Sequence, residues 1–174
     1  VAMATHDIVG NSRGQDGRRA GDRVRLFSAG SDADEGAAQA QRRRSRGLEG
    51  ESRSRTLARA IRDSARRHVR GFDVDLVFRP DRYGRGGDHA PFLERGIAAV
   101  RFTEPFEDWR HQHQDLRTEK GVVYGDLPEF VDFAYLTRVA RVNVAWVAEL
   151  AAAPPAPERV DLRQDLSPET TLTW

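Results

Sequence analysis

The sequence predicts an α/β protein built on a mostly parallel sheet. Three observations lead there. Short apolar, β-prone runs at 1–9, 24–27, 74–78 and 97–102 are interspersed with segments of helical periodicity. Two of those segments, about 54–70 and 128–153, are long enough to cover a sheet. Three of the strands empty into polar loops, around Asp7, around Asp88-His89 and around His111. In open α/β sheets ligands sit beyond the carboxyl ends of strands, so these loops are where chemistry is expected.

Taken in order, residues 1–9 (VAMATHDIV) read as the end of a buried strand, broken at Gly10-Asn11-Ser12. Residues 11–22 are loop, and Val24-Arg25-Leu26-Phe27 is a short strand ending at Ser28-Ala29-Gly30. Residues 31–53 are polar, with arginines at 42, 43, 44 and 46, and read as a solvated helix or loop. From about Ser54 to Arg70, Leu57, Ile61, Ala65 and Val69 recur every four residues as one apolar stripe, and Gly71 supplies a C-terminal stop. Residues 74–78 form a strand that runs into a glycine-rich loop, 79–89. Pro91 suits the first turn of a short helix ending near Gly96. Residues 97–102 are a buried strand, followed by a polar loop from Thr103 to Arg117. Pro128 opens the longest helix, to about Ala153, apolar on nearly every side and therefore expected to pack on a sheet and be partly covered elsewhere. Ala153-Pro154-Pro155-Ala156-Pro157 breaks it, and the alternating tail, with a turn at Ser167-Pro168, is strand-like.

Composition narrows the function. The 174 residues fit a prior of about 100–200 residues per domain. Lys+Arg (28) balances Asp+Glu (27), a net charge of +1, which disfavours a nucleic-acid binder. An arginine-rich polyanion site at 41–46 is a weak competitor for the same reason; it would bind with a steep salt dependence. No stretch approaches the roughly 18 apolar residues of a membrane span. There is no cysteine, so thiolate zinc sites, disulfides and cysteine nucleophiles are excluded. The first residue is Val1 and no leader follows it, so the native start is expected to lie upstream.

Taken singly, the polar residues at the strand ends are ordinary. Asp7 could be a loop anchor, although a carboxylate at the end of an apolar strand is costly unless partnered. His111-Gln112-His113-Gln114-Asp115 has the histidine-plus-carboxylate chemistry of a zinc site, or is simply solvated. Asp88-His89 follows Gly86-Gly87, where backbone can approach a ligand closely, or His89 is satisfied by loop carbonyls. Neither a G-x-S-x-G serine elbow nor a P-loop is present.

In series they say more. Asp7-Ile8-Val9-Gly10-Asn11, then Gly87-Asp88-His89-Ala90-Pro91-Phe92-Leu93-Glu94-Arg95-Gly96-Ile97-Ala98-Ala99-Val100, then His111-x-x-x-Asp115 resembles the two-zinc aminopeptidases and carboxypeptidases of metallopeptidase family twenty-eight. The family's corresponding segments are D-[IM]-V-G, S-D-H-x-x-F-x-x-x-G-I-P-A-V and H-T-x-x-D-T. The chain departs from them at Gly87 for Ser, Ala98 for Pro, and Gln112-His113-Gln114-Asp115-Leu116 for T-x-x-D-T.

The resemblance spans roughly residues 1–152 and implies a partial three-layer zinc-exopeptidase fold, a mixed sheet with flanking helices. It implies that Asp7 binds one zinc and His111 the other, with His113 the runner-up ligand and His6 only a neighbour. Asp88, His89 and Phe92 would shape the substrate pocket, and Tyr83 would stabilise the tetrahedral intermediate. The implied cofactor is zinc, two ions in the complete enzyme, and the implied partner a peptide substrate. The family's remaining ligands and general base lie upstream of the aspartate segment, so this chain alone is expected to be an inactive C-terminal half of the peptidase domain. After a proline-rich linker at 153–158, residues 159–174 are similar to the start of a fibronectin type III-like β domain. The competing implication is a non-catalytic, peptidase-like binding or receptor domain. An exposed sheet edge is expected to favour association and poor solubility, and the family points to a secreted or periplasmic protein.

Overall fold

A computed structural model describes residues 1–82, 84, 86–155 and 157–158, together with the backbone of 161–163 and 171–173. In chain order the elements are β1 (Ala2–His6), β2 (Arg23–Ser28), α1 (Ala37–Ser45), α2 (Arg53–His68), β3 (Asp73–Val77), α3 (Ala90–Leu93), β4 (Ala98–Thr103), β5 (Arg117–Glu119), β6 (Val122–Tyr124), α4 (Phe133–Ala152), β7 (Asp161–Arg163) and β8 (Thr171–Thr173). Single 3₁₀ turns occupy Trp109–His111 and Pro128–Phe130.

The central sheet has the order β1-β4-β2-β3. β1 runs parallel to β4 and β2 parallel to β3, while β2 and β4 are antiparallel. The expected α/β class and mostly parallel mixed sheet are therefore present. β1 and β3 are the sheet's two edges.

Alternation along β4 divides its side chains between the two faces. Val100 and Phe102 join Val24, Leu26 and Val74 in the core, while Ala99, Arg101 and Thr103 point the other way and are also buried. Helices α2 and α4 pack on each other over the core face. The stripe read from the sequence is the one that packs: Ile61, Ala65 and Val69 are buried and Leu57 rests against the core. Ser52 caps α2, accepting from the Arg55 amide and donating to the Ala29 carbonyl at 2.5 Å.

The longest helix starts five residues later than its proline suggests. Pro128 begins only a 3₁₀ turn, and Asp132 is the true N-cap, accepting from the Tyr135 amide at 2.9 Å and from the Ser12 hydroxyl at 2.5 Å. Tyr135, Val139, Val142 and Trp146 form its buried face. Its far side does not have the partial cover expected of it: Val144, Val147 and Leu150 are exposed.

The hairpin β5–β6 begins at the end of the loop read from the sequence as Thr103 to Arg117 and runs into a stretch where that reading places no element. Lys120 and Gly121 both have positive φ (50° and 79°), the signature of a two-residue type I′ turn. β7 and β8 pair antiparallel. The Ser167-Pro168 turn expected between them lies outside the described residues, as do the side chains of that tail.

Candidate metal-binding site

The carboxyl ends of β1 and β4 adjoin, and the two expected metal ligands emerge there. Asp7 is the first residue beyond β1. Its amide donates to Phe102 O at 3.1 Å, and Glu104 N donates to Ile8 O at 2.9 Å, so the chain leaves the sheet paired with β4. The Asp7 carboxylate is about one-third exposed, and Oδ2 accepts from Arg101 Nη2 at 2.9 Å. Among the described residues Oδ1 accepts no hydrogen bond.

His111 ends the 3₁₀ turn that follows β4. Its ring stacks on Phe130 with centroids 3.6 Å apart, and Nδ1 lies 3.2 Å from Gly125 O. A carbonyl only accepts, so Nδ1 is the donor, and in the neutral ring Nε2 holds the lone pair. Gly125 N in turn donates to Arg110 O at 3.0 Å, clamping the hairpin end to the 3₁₀ turn. This position needs glycine: φ is 132°, and a Cβ would lie 3.1 Å from Leu116 Cα. Asp108 sits 3.9 Å from His111 Nε2, but its carboxylate is engaged by Arg110. Burial alone would raise the Asp108 pKa; the Arg110 hydrogen bonds outweigh it and hold the group below its ordinary value.

A cleft of about 450 Å³ opens beside His111 between the β1 exit and the start of α4. Ile8, Leu127, Phe130, Val131 and Phe133 make it mainly apolar. Glu104 lines it from below, fully buried. Its Oε2 accepts from the amides of Gly10 (3.0 Å) and Asn11 (2.8 Å), and Oε1 from Gln112 Nε2 (3.3 Å). Burial pushes this carboxyl upward in pKa, against the pull of those donors.

The glycine-rich loop after β3 forms a second cluster. Arg101 is 1% exposed and ion-pairs with both Asp7 and Asp81. His89 is buried, with Nε2 donating to Pro80 O at 2.7 Å, so the reading in which loop carbonyls satisfy it holds for that nitrogen. Asp88 is exposed and Phe92, on α3, is 40% exposed. Tyr83 lies outside the described residues. His113 and Asp115 are exposed; His113 has φ 53° and its amide donates to Asp126 at 3.1 Å. His6 stacks on Phe102 with centroids 4.9 Å apart.

The structure thus brings Asp7, Asp81, Arg101 and the 79–89 loop together, and separately His111, Asp108, Gln112 and Glu104. No hydrogen bond or ion pair joins Asp7 to His111. An imidazole Nε2 lone pair and a free carboxylate oxygen are the donors zinc prefers in a cysteine-free chain. They fit such an ion in kind but not in number: among the described residues no three His, Asp or Glu side chains gather into a metal-holding group. Arg101 and Glu104 escape a sequence reading. The one available signal for Arg101 is a lone charge inside the apolar run 97–102.

Comparison with known proteins gives one consistent likeness. The chain is similar to probable zinc metalloproteases. It is 47% identical to one from Leptosphaeria maculans over 99% of this chain and 40% of that protein. It is 46% identical to one from Pyricularia oryzae and 43% to one from Pyrenophora tritici-repentis, each over 99% of this chain, covering 35% and 36% of those proteins. The chain therefore spans two-fifths or less of the length of these relatives. No family profile matches it. No solved structure matches it significantly.

Proposed function

We propose that this chain is part of a zinc-dependent exopeptidase of aminopeptidase type, and that Asp7 and His111 each supply one ligand to a two-zinc centre. The observation that carries the zinc-peptidase reading is the 47% identity to a probable zinc metalloprotease over nearly the whole chain. The geometry supports the ligand roles: both residues stand beyond the carboxyl ends of strands, and each keeps an unengaged donor atom.

Bound zinc would polarise the scissile carbonyl and lower the pKa of a bound water. The chain's own residues supply the frame. Gly125 O fixes the His111 ring orientation and tautomer, with Nδ1 as the donor. Glu104 holds the amides of Gly10 and Asn11, setting the course of the backbone just beyond Asp7. The mainly apolar cleft beside His111 borders one side of the site. In this reading the other ligands and the general base come from residues outside these 174, so the chain alone is inactive. Two tight zinc sites on the 174-residue chain would overturn that last point.

The test uses the protein expressed from its complete reading frame. Chelator dialysis should abolish hydrolysis of amino-acid p-nitroanilides, and zinc should restore it, with two zinc ions per chain by elemental analysis. Peptides with an acetylated amino terminus should be resistant. Chelator-insensitive hydrolysis would overturn the zinc reading, and equal cleavage of blocked peptides would overturn the aminopeptidase reading.

A further inference from the structure

Arg101 is among the largest fully buried side chains of the described residues, and it sits in the middle of an otherwise apolar strand. Burying a guanidinium is costly unless every donor is answered by charge or by a carbonyl. Here Nη2 meets Asp7 Oδ2 at 2.9 Å, Nε meets Asp7 O at 2.7 Å, and Nη1 meets Asp81 Oδ1 at 2.5 Å and also Gly86 O. Asp81 Oδ2 accepts from Gly86 N at 2.6 Å, which closes the network onto the glycine-rich loop. Gly86 adopts φ 74°, which lets both its amide and its carbonyl take part.

We infer that Arg101 is a positioning residue for Asp7. It grips this residue at two points, carboxylate and main-chain carbonyl, and so presents Oδ1 to a metal ion. This rests on the proposal that Asp7 is a zinc ligand.

The chemistry favours arginine for the task. A guanidinium engages two acceptors in one plane, whereas a lysine ammonium is a point charge on a flexible stem. A lone cation beside a ligand carboxylate would weaken its hold on a dication. Asp81, ion-paired with Arg101 at 2.5 Å, shares that positive charge. Arg101 therefore orients the Asp7 carboxylate with its own charge divided between two acids. It also ties the ligand to the loop bearing Asp88 and His89, so the two sides of the site are held by one side chain.

The experiment again uses the protein from its complete reading frame. Zinc affinity is measured by competition with a chromophoric chelator, and thermal melting is followed in the metal-free protein. Asp7→Asn should remove one tight zinc. Arg101→Lys should weaken that same zinc by about 10–100-fold, the range found when partners of metal ligands are removed. It should also shift the visible absorption of the Co²⁺-substituted protein, a readout that a merely structural arginine would not move. If Arg101→Lys does not fold, Asp81→Asn, which leaves Arg101 in place, should weaken the same zinc about tenfold. An unchanged zinc affinity in Asp7→Asn would overturn the ligand role itself. Loss of zinc in Asp7→Asn with unchanged affinity in a folded Arg101→Lys or Asp81→Asn protein would overturn the positioning role alone.

Discussion

Glu104 shows how one buried carboxylate can organise backbone at a distance in sequence. It follows β4 directly, yet it answers two amides more than ninety residues away, at Gly10 and Asn11. Those amides lie in the turn after Asp7, where no strand partner is available. Replacing Glu104 with Ala should therefore destabilise the protein by about 1–3 kcal/mol as these two part-buried amides lose their acceptor, read from urea unfolding. A midpoint within error of wild type would mean that water takes over both amides. His111 makes the complementary point. Its spacing to Asp115 is visible in the sequence, but its tautomer is not, because the carbonyl that sets it belongs to Gly125, fourteen residues on. Arg101 is harder still to read. In sequence it interrupts an apolar strand, and only the approach of Asp7 and Asp81 from two other segments gives its charge a purpose.

At the level of elements, α2 and α4 are joined by packing within and by charge at their rim. Glu149 on α4 accepts from Arg67 at 2.6 Å and from His68 at 2.7 Å, both on α2. The Arg67 hydrogen bond, followed by that of His68, lowers the Glu149 pKa from 4.5 to about 2. A carboxyl whose pKa is depressed on folding stabilises the native state above its unfolded pKa, and that contribution is lost as pH falls through the folded one. Stability should therefore drop between about pH 4.5 and about pH 2 partly through this group. Glu149→Gln should flatten that part of the profile in chemical unfolding at a series of pH values; an unaltered profile would show that solvent screens the pair. Element boundaries follow the same logic of local partners. The apolar stripe of α2 is legible because four residues repeat its period. The start of α4 is not, because Asp132 outcompetes Pro128 as a cap through Ser12, a residue 120 positions away. The hairpin β5–β6 is carried by Lys120-Gly121, whose positive φ values are a weak signal without the strands on either side.

Over the whole molecule, one core holds the sheet to its two long helices. Ile61 is fully buried among Val24, Leu26, Val100 and Val142 in that core. Ile61→Ala should cost about 2–5 kcal/mol in denaturant unfolding, the range for removing a large buried aliphatic side chain. A loss well below this would mean that α2 is free to collapse onto the sheet. The same layering builds the candidate site, because the exits of β1 and β4, the turn at 109–111 and the amino end of α4 meet on one side of the sheet. Arg101 is buried on the face of β4 opposite the one that carries Val100 and Phe102 into the core. Among the described residues no helix is long and apolar enough to cross a membrane.

The class of fold and the placing of α2 and of the four sheet strands are legible in the chain's order, because each rests on local periodicity or on a short spacing. Strand order, the antiparallel pairing of β2 with β4, the cap of α4, and the partners of Arg101, Glu104 and His111 are not. Every one of these depends on contacts between segments remote in sequence, and a pattern of residue types carries no record of which distant segment will arrive. The chemistry of a strand end can be read as a list of side chains, but which oxygen or nitrogen is left free to bind is decided only when the others have found their partners.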